Sequence, residues 1–213
     1  VGNGGAVLND DCSGLFDNCV FTNNTTNDEG GGMYNLAGSN PTLTNCTFTE
    51  NTSDQNGGGM YNNSSSPTLD NCTFTNNSVA LGDAGGMWND QNSSPALTNC
   101  IFVGNTCNDN GGAMRNRNGS NPTLTDCTFT GNSATNNGGA IHNYNCSPLL
   151  TNCTFTDNTA TENAGAICNQ QSSPTITNCD FIGNVAVTRG AGAIYNDLGA
   201  NPLFEDCLFE SNS

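Results

Sequence analysis

The sequence predicts an all-β protein, a parallel β-helix in which about eight coils of 26–28 residues stack as a solenoid. The first observation is the phrase NPTLTNCTFTEN (residues 40–51), whose Cys returns at intervals of 26 to 28 residues. The second is a Phe two positions after each Cys. The two columns are Cys19, Cys46, Cys72, Cys100, Cys127, Cys153, Cys179 and Cys207, and Phe21, Phe48, Phe74, Phe102, Phe129, Phe155, Phe181 and Phe209.

Two further apolar columns have the same period. One runs Val7, Met33, Met60, Met87, Met114, Ile141, Ile167, Ile194, and the other runs Phe16, Leu43, Leu69, Leu97, Leu124, Leu150, Ile176, Phe204. A fixed long period with several apolar columns is typical of a solenoid, in which each repeat buries its apolar side against its neighbours. Each repeat is therefore predicted to form one coil.

Each coil is predicted to contain three short strands. The segments TLT and CTFT alternate polar and apolar residues, and Gly, Pro and Asn interrupt them. Helical repeats would not tolerate this much Gly, Asn and Thr. The side chains expected inside are Leu43, Cys46, Phe48 and Met60, and those expected to face water are Thr42, Thr44, Thr47 and Thr49. Because Leu43 and Cys46 are an odd number of residues apart, the chain must bend near Asn45.

Asn, Gly and Pro also recur at fixed positions in the coil. Asn follows the Met/Ile column by two residues, and another Asn follows Phe by three, which predicts two rows of Asn side chains that hydrogen-bond from coil to coil at corners. Gly stands two residues before each Met or Ile, which predicts a thin wall of closely packed backbone. The seven Pro residues each precede a Cys by five and are expected to open a strand.

Composition and charge exclude several classes of partner. The chain has 213 residues and a net charge of −16, with no Lys and only Arg115, Arg117 and Arg189 as basic residues. Nucleic-acid binding and attachment to anionic membranes both need clustered basic residues. No segment approaches the roughly 18 apolar residues of a membrane span, so no membrane insertion is expected.

The repeats resemble those of a known class. The segments GGAM (111–114), GGAI (138–141) and AGAI (164–167 and 191–194), together with FTEN, FVGN, FTGN and FIGN, resemble the GGA-I and F-x-x-N repeats of polymorphic outer-membrane adhesins. More broadly, they resemble right-handed parallel β-helix proteins of the pectin-lyase-like class. The resemblance implies a right-handed β-helix over the whole chain. The class includes adhesins, surface proteins, tailspikes and polysaccharide enzymes, so its fold does not fix a function.

The eight periodic Cys residues are interpreted as a buried, mostly reduced column that fills space as small apolar side chains. Neighbouring Cα atoms would be ~4.8 Å apart, but parallel Cβ vectors keep the Cβ atoms farther apart than the ~3.8 Å of a usual disulfide. The oxidation state stays open. Four further Cys lie outside this column: Cys12, Cys107, Cys146 and Cys168. No CxxC cluster indicates zinc.

Acidic residues before the Gly run are candidates for calcium binding, with backbone oxygens as additional ligands. They are Asp28, Glu29, Asp54, Asp83 and Asp109. Their spacing is irregular, so the alternative is a solvated acidic edge that keeps the protein soluble. No other cofactor is expected.

A candidate binding strip follows the Met/Ile column by one residue. Its members of interest are Tyr34, Tyr61, Trp88, His142 and Tyr195, with Arg115 and Cys168 at intervening coils. Exposed rings at coil spacing would suit sugar rings, so surface glycans are a candidate partner; alternatively, the stacked rings stabilise the sheet. Pectin-lyase-like hydrolases use clustered Asp, and lyases use Ca²⁺ with Arg or Lys. No acid pair accompanies His142 or Arg115 in this column, so the chain is not expected to be an enzyme.

Sequons and outward Thr arrays suggest two further functions of the surface, glycosylation and ice binding. Among many N-x-S/T sequons, the loop positions Asn63 and Asn92 are candidate glycosylation sites. Outward TxT arrays resemble the ice-binding faces of some antifreeze β-helices, although Asp70, Ala96 and Leu149 interrupt them.

The ends of the sequence complete the prediction. Residues 1–213 are expected to form one β-helix domain without caps, and joining residue 213 to residue 1 nearly completes a coil. This predicts either head-to-tail stacking of copies or an excerpt from a longer solenoid. The function predicted is a non-enzymatic extracellular or cell-surface structural protein, a fibre subunit or adhesin stalk segment. The alternative is a carbohydrate-binding or carbohydrate-cleaving β-helix.

Overall fold

The chain folds as a parallel β-solenoid of about eight coils, which confirms the predicted fold class. The structure is a computed structural model that describes residues 2–213; residue 1 of the predicted domain lies outside the described residues. Every regular element described is a β-strand, and every pairing between strands is parallel. Within residues 2–213 there is no helix long and apolar enough to cross a membrane.

The first sheet carries the Met/Ile column and has eight strands in coil order. Its strands are β1 (Val7–Asp10), β5 (Met33–Leu36), β9 (Met60–Asn63), β13 (Met87–Asp90), β17 (Met114–Arg117), β21 (Ile141–Tyr144), β25 (Ile167–Gln170) and β29 (Ile194–Asp197). The register is the one that the columns predict, with Met33 opposite Met60 and Asn35 opposite Asn62.

The second and third sheets come from the TLT and TFT segments. The second comprises β2 (Leu15–Asp17), β6 (Thr42–Thr44), β10 (Thr68–Asp70), β14 (Ala96–Thr98), β18 (Thr123–Thr125), β22 (Leu149–Thr151), β26 (Thr175–Thr177) and β30 (Leu203–Glu205). The third comprises β3 (Val20–Thr22), β7 (Thr47–Thr49), β11 (Thr73–Thr75), β15 (Ile101–Val103), β19 (Thr128–Thr130), β23 (Thr154–Thr156), β27 (Asp180–Ile182) and β31 (Leu208–Glu210). Leu43 and Phe48 are buried between more exposed Thr neighbours, as predicted.

The bend between these two sheets lies at Asn45, as predicted, and returns in every coil. The residue there adopts a left-handed conformation with φ between 51° and 55°. The residues are Asn18, Asn45, Asn71, Asn99, Asp126, Asn152, Asn178 and Asp206. Asn and Asp tolerate this conformation best among residues with a side chain. One left-handed residue therefore turns Cys46 inward although its separation from Leu43 is odd.

A fourth sheet is present that the sequence analysis missed. Its two-residue strands are β4 (Thr25–Thr26), β8 (Thr52–Ser53), β12 (Ser78–Val79), β16 (Thr106–Cys107), β20 (Ser133–Ala134), β24 (Thr159–Ala160) and β28 (Val185–Ala186). The prediction of three strands per coil was wrong because two residues are too short to show an alternating pattern. The inward residue is small and varied, from Ser53 to Val79 to Cys107.

The core is a set of stacked columns. Neighbouring Phe rings of the Phe column stack with centroids 4.4–4.9 Å apart and ring planes within 3–7° of parallel. The Leu column and the central Cys residues are buried beside these rings. At the two outermost coils these columns are less well covered: Phe21 is still buried, but Phe16, Cys19, Phe204 and Cys207 are only partly buried, and Phe209 is 48% exposed.

Both predicted Asn rows form. In the first row, each side-chain Nδ2 donates to the Oδ1 of the next coil over 2.7–2.9 Å, from Asn9 through to Asn196. The second row runs from Asn24 to Asn212 with corresponding distances of 2.8–3.0 Å. Although they lie at corners, these Asn residues do not themselves adopt the left-handed conformation. In the second row it falls on the residue before, such as Asn23 or Glu50.

The Gly wall is as thin as predicted. A Cβ added at Gly58 would lie 2.5 Å from the carbonyl oxygen of Ser78 and 2.6 Å from that of Gly85. Gly residues at the same position in the other coils meet backbone atoms equally closely. Side chains are therefore excluded from this column, and the Gly run packs against the strands of the fourth sheet through backbone atoms.

Candidate functional site

The predicted aromatic strip is not exposed. Tyr34, Tyr61 and Trp88 are 3–5% exposed, and His142 is 2% exposed. Tyr195, in the last coil, is partly buried. The expectation of an exposed strip was wrong, although the column does lie on the outer side of the first sheet, in register from coil to coil.

Two flanking segments cover this column. On one side, the loop before the strand brings Gly30 close to Tyr34 and adds Ala84 to the buried cluster of Tyr34, Tyr61 and Trp88. On the other side, the strand ends contribute Leu36, which packs on the same cluster. The column therefore forms a second, smaller core outside the sheet. Period-2 patterning identifies outward residues but does not show whether a loop folds over them.

The rings in the covered column stack on one another. Tyr34 and Tyr61 have centroids 4.9 Å apart, and Tyr61 and Trp88 are 6.0 Å apart and nearly parallel. The Arg115 guanidinium continues the stack, with its central carbon 5.2 Å from the Trp88 ring centroid. This geometry matches the alternative in which stacked rings stabilise the sheet.

Arg115 is held by an acid. Its Nη1 lies 2.7 Å from Asp83 Oδ1, and both side chains are about nine-tenths buried. Asp83 also accepts hydrogen bonds from the backbone and side-chain nitrogens of Asn110. Burial raises the pKa of the Asp83 carboxyl, and the opposing charge of Arg115 only partly offsets this. A lyase would need a free basic group, but the Arg115 guanidinium is engaged in an internal ion pair.

His142 is neutral at physiological pH. Burial, and secondarily the charge of Arg115, lower its pKa to about 3. Its Nε2 is 3.1 Å from Gln170 Oε1, and the sequence analysis did not single out Gln170. The neighbouring residue in the column, Cys168, is fully buried, and burial raises the pKa of its thiol to about 12. The pair does not form a reactive thiolate and imidazolium.

Three buried nitrogens in consecutive coils have no hydrogen-bond partner among the described residues. They are Trp88 Nε1, Arg115 Nε and His142 Nδ1. Such groups carry a desolvation cost. The covered column thus has unpartnered nitrogens in its fourth to sixth coils, at Trp88, Arg115 and His142. Tyr34 and Tyr61 precede them, and the first coil carries the exposed Leu8.

The five candidate calcium ligands do not converge. Asp54 is exposed, Asp28 and Glu29 are partly buried, and Asp83 is paired with Arg115. Over residues 2–213, no three His, Cys, Asp or Glu side chains are grouped so as to hold a metal ion. Glu29 and Asp83 instead belong to a third row of polar side chains.

This third row, which the sequence analysis missed, stands four residues before the Met/Ile column. Asn56 donates to Glu29, Asn110 to Asp83, Asn137 to Asn110 and Asn163 to Asn137. The recurrence of Asn at this position (Asn110, Asn137, Asn163) was the signal that could have found it. The row ties together the loops that cover the aromatic column.

The comparisons with known proteins agree with this architecture. A family model described as "Right handed beta helix region" matches residues 1–134 and, in a second overlapping match, residues 102–213. The chain belongs to this right-handed β-helix family. No curated protein and no solved structure matches the chain.

The cysteines outside the periodic Cys column occupy defined positions in the coil. All twelve cysteines are free. Cys107 is the inward residue of a fourth-sheet strand, and Cys146 occupies a corner position that Ser39, Ser65, Ser93, Ser120 and Ser172 fill in other coils. Burial raises the pKa of Cys107 and Cys146 to about 12. Cys12 is exposed at the equivalent corner of the first coil.

The two candidate glycosylation sites differ in accessibility on the β-helix. Asn92 is exposed, in a left-handed corner with φ of 64°. Asn63 ends a strand of the first sheet and is half-buried. Modification of either residue stays a prediction.

Proposed function

We propose that this β-helix is a non-enzymatic extracellular structural protein, either a subunit of a head-to-tail fibre or a segment of an adhesin stalk at the cell surface. The observation that carries the proposal is the continuity of the two Asn rows through all eight coils. A solenoid used as a rod needs uniform coils, each joined to its neighbours alone. A solenoid used as an enzyme needs at least one coil whose side chains differ and converge.

The basic side chains that an enzyme of this class would use are engaged within the covered column. Arg115 is paired with Asp83, and His142 is buried and neutral. The aromatic rings that favoured glycan binding are covered. These contacts support the structural proposal over the carbohydrate-binding or carbohydrate-cleaving alternative.

Electron microscopy at increasing protein concentration tests the proposal. At ~4.8 Å per coil, eight coils give an axial repeat of roughly 38 Å. Filaments with this repeat are expected, and a variant with a charged capping turn after Ser213 should remain as short rods. Single rods at every concentration, indifferent to the cap, would contradict the fibre.

Ice binding is a second candidate, favoured by one observation. Outward Thr residues of the second and third sheets lie in register on parallel strands, such as Thr42 opposite Thr68 and Thr128 opposite Thr154. Asp70, Ala96, Ile101 and Leu149 break these columns. Thermal hysteresis of the wild-type protein, lost when Thr42 and Thr123 are changed to Lys, would favour this candidate; its absence would exclude it.

A further inference from the structure

The two outermost coils carry exposed aliphatic side chains at positions where the inner coils mostly carry Thr. In the first coil, Leu15 is 75% exposed and Val20 is 68% exposed. In the last coil, Leu203 is 51% exposed and Leu208 is 45% exposed. Through the intervening strands, Leu15 and Leu203 belong to one column on the second sheet, and Val20 and Leu208 belong to one column on the third.

From this match we propose, resting on the proposed fibre function, that a second copy of this chain docks its first coil onto the last coil in exact column register. Leu203 then stacks on Leu15 of the second copy, and Leu208 on Val20. Phe209, 48% exposed, continues the Phe column onto Phe21. The interface is heterologous, so each copy has one donor end and one acceptor end.

The second Asn row is complementary at the two ends. In each inner coil, the backbone N and the Nδ2 of Asn both donate to the Oδ1 of the next coil; Asn184 does so to Asn212 over 2.9 Å. In the proposed register, Asn212 would donate in the same way to Asn24 Oδ1 of the second copy. In the first row, Asn196 would donate to Asn9, as Asn169 donates to Asn196. Docking therefore extends both rows.

Charge opposes this register at two points. Asp197 would lie over Asp10, and Glu205 over Asp17, at the ~4.8 Å spacing of paired strands. Within the chain, these two columns never place one carboxylate directly over another. Repulsion between exposed carboxylates is screened by salt. Association of the copies should therefore strengthen as ionic strength rises.

Sedimentation velocity of the full chain at about 20 mM and about 500 mM NaCl tests the register. The end variant carries Leu203→Thr and Leu208→Thr. Its matched control carries Leu149→Thr and Ile101→Thr, which lie in the same two columns in inner coils and are 43% and 40% exposed. Loss of two apolar contacts should weaken association of the end variant about tenfold or more, while the control stays within about twofold of wild type.

Two more variants test direction and charge. A second end variant, Leu15→Thr with Val20→Thr, should lose association equally, and an equimolar mixture of the two end variants should yield dimers but no longer species. Asp10→Asn with Asp17→Asn should associate at low salt as wild type does at high salt. Equal effects of the end variant and its control would overturn the register while leaving fibres intact. A wild type that stays monomeric at both salt concentrations would overturn the docking and the fibre together.

Discussion

At the residue scale, one Asn of the second row satisfies four neighbouring groups. Asn105 accepts from the backbone N and the Nδ2 of Asn77, and its own Nδ2 donates to the Phe74 carbonyl and to Asn132. The residue is fully buried. Because an amide side chain both donates and accepts in a fixed plane, Asn is the residue that can repeat this pattern in every coil.

Replacing Asn105 by Ala should destabilise the protein by roughly 3–5 kcal/mol, because several buried groups lose their partner at once. Urea denaturation monitored by circular dichroism measures the loss. Thr123→Ala, at an exposed position on the second sheet, serves as a control and should change the free energy of unfolding by less than about 0.5 kcal/mol. A similar small change for Asn105→Ala would show that the row does not contribute to stability.

His142 should make stability depend on pH. Its pKa is about 3 in the fold and about 6.5 in the unfolded chain, so between these values the unfolded chain binds more protons. The stability that His142 contributes is complete above about pH 6.5 and is lost as pH falls toward 3. The total is up to roughly 5 kcal/mol.

His142→Gln should flatten the pH dependence in that range, since His142 is the chain's single His. Acidic groups with raised pKa, Asp83 and Glu29, remain in both proteins and cancel in the comparison. Urea midpoints measured from pH 4 to pH 7.5 give the two slopes. Parallel slopes would mean that His142 is accessible to protons in the folded state.

At the element scale, the Gly column sets how closely the Gly run packs against the fourth sheet. Gly58→Ala places a Cβ within 2.5 Å of a backbone oxygen, and the backbone must move to accommodate it. A loss of about 1–3 kcal/mol or more is expected from urea denaturation.

The adjacent variant Gly59→Ala is its matched control. Coils five to eight carry Ala at the equivalent position, as Ala113, Ala140, Ala166 and Ala193. A Cβ added at Gly59 would lie 2.6 Å from the Gly86 carbonyl oxygen, so this coil must shift slightly to admit it. Because the later coils do admit a methyl group in this column, Gly59→Ala should cost less than Gly58→Ala. If the two variants were equally stable, the thin wall would not be a steric requirement.

At the scale of the whole molecule, each coil contacts its neighbours alone, so coils should be additive units. Duplicating residues 100–126 in frame should give a nine-coil protein. Its urea m-value should rise by roughly one eighth, because m scales with the surface exposed on unfolding. Small-angle X-ray scattering should show a rod lengthened by ~4.8 Å. Aggregation or an unchanged m-value would mean that the coils are not interchangeable.

Much of this architecture could be predicted from the sequence, because the columns repeat eight times. The Leu, Cys, Phe and Met/Ile columns, both Asn rows and the bend at Asn45 follow from spacing. The burial of Tyr34, Tyr61 and Trp88 could not be predicted, since it depends on loops that fold back over a strand's outer side. The fourth sheet was not predicted because its strands, such as Ser78–Val79, have two residues each and are too short to show an alternating polar and apolar pattern.

The coil-to-coil rows also determine how the molecule would respond to force. Tension applied to the chain termini acts first on an outermost coil. The hydrogen bonds that join this coil to its one neighbour would break one after another. Each coil that detaches would release 26–28 residues, or roughly 90 Å of extended chain. The inner coils would stay folded until the coil outside them has detached. A thin rod built in this way would lengthen in equal steps under load and dissipate energy at each step.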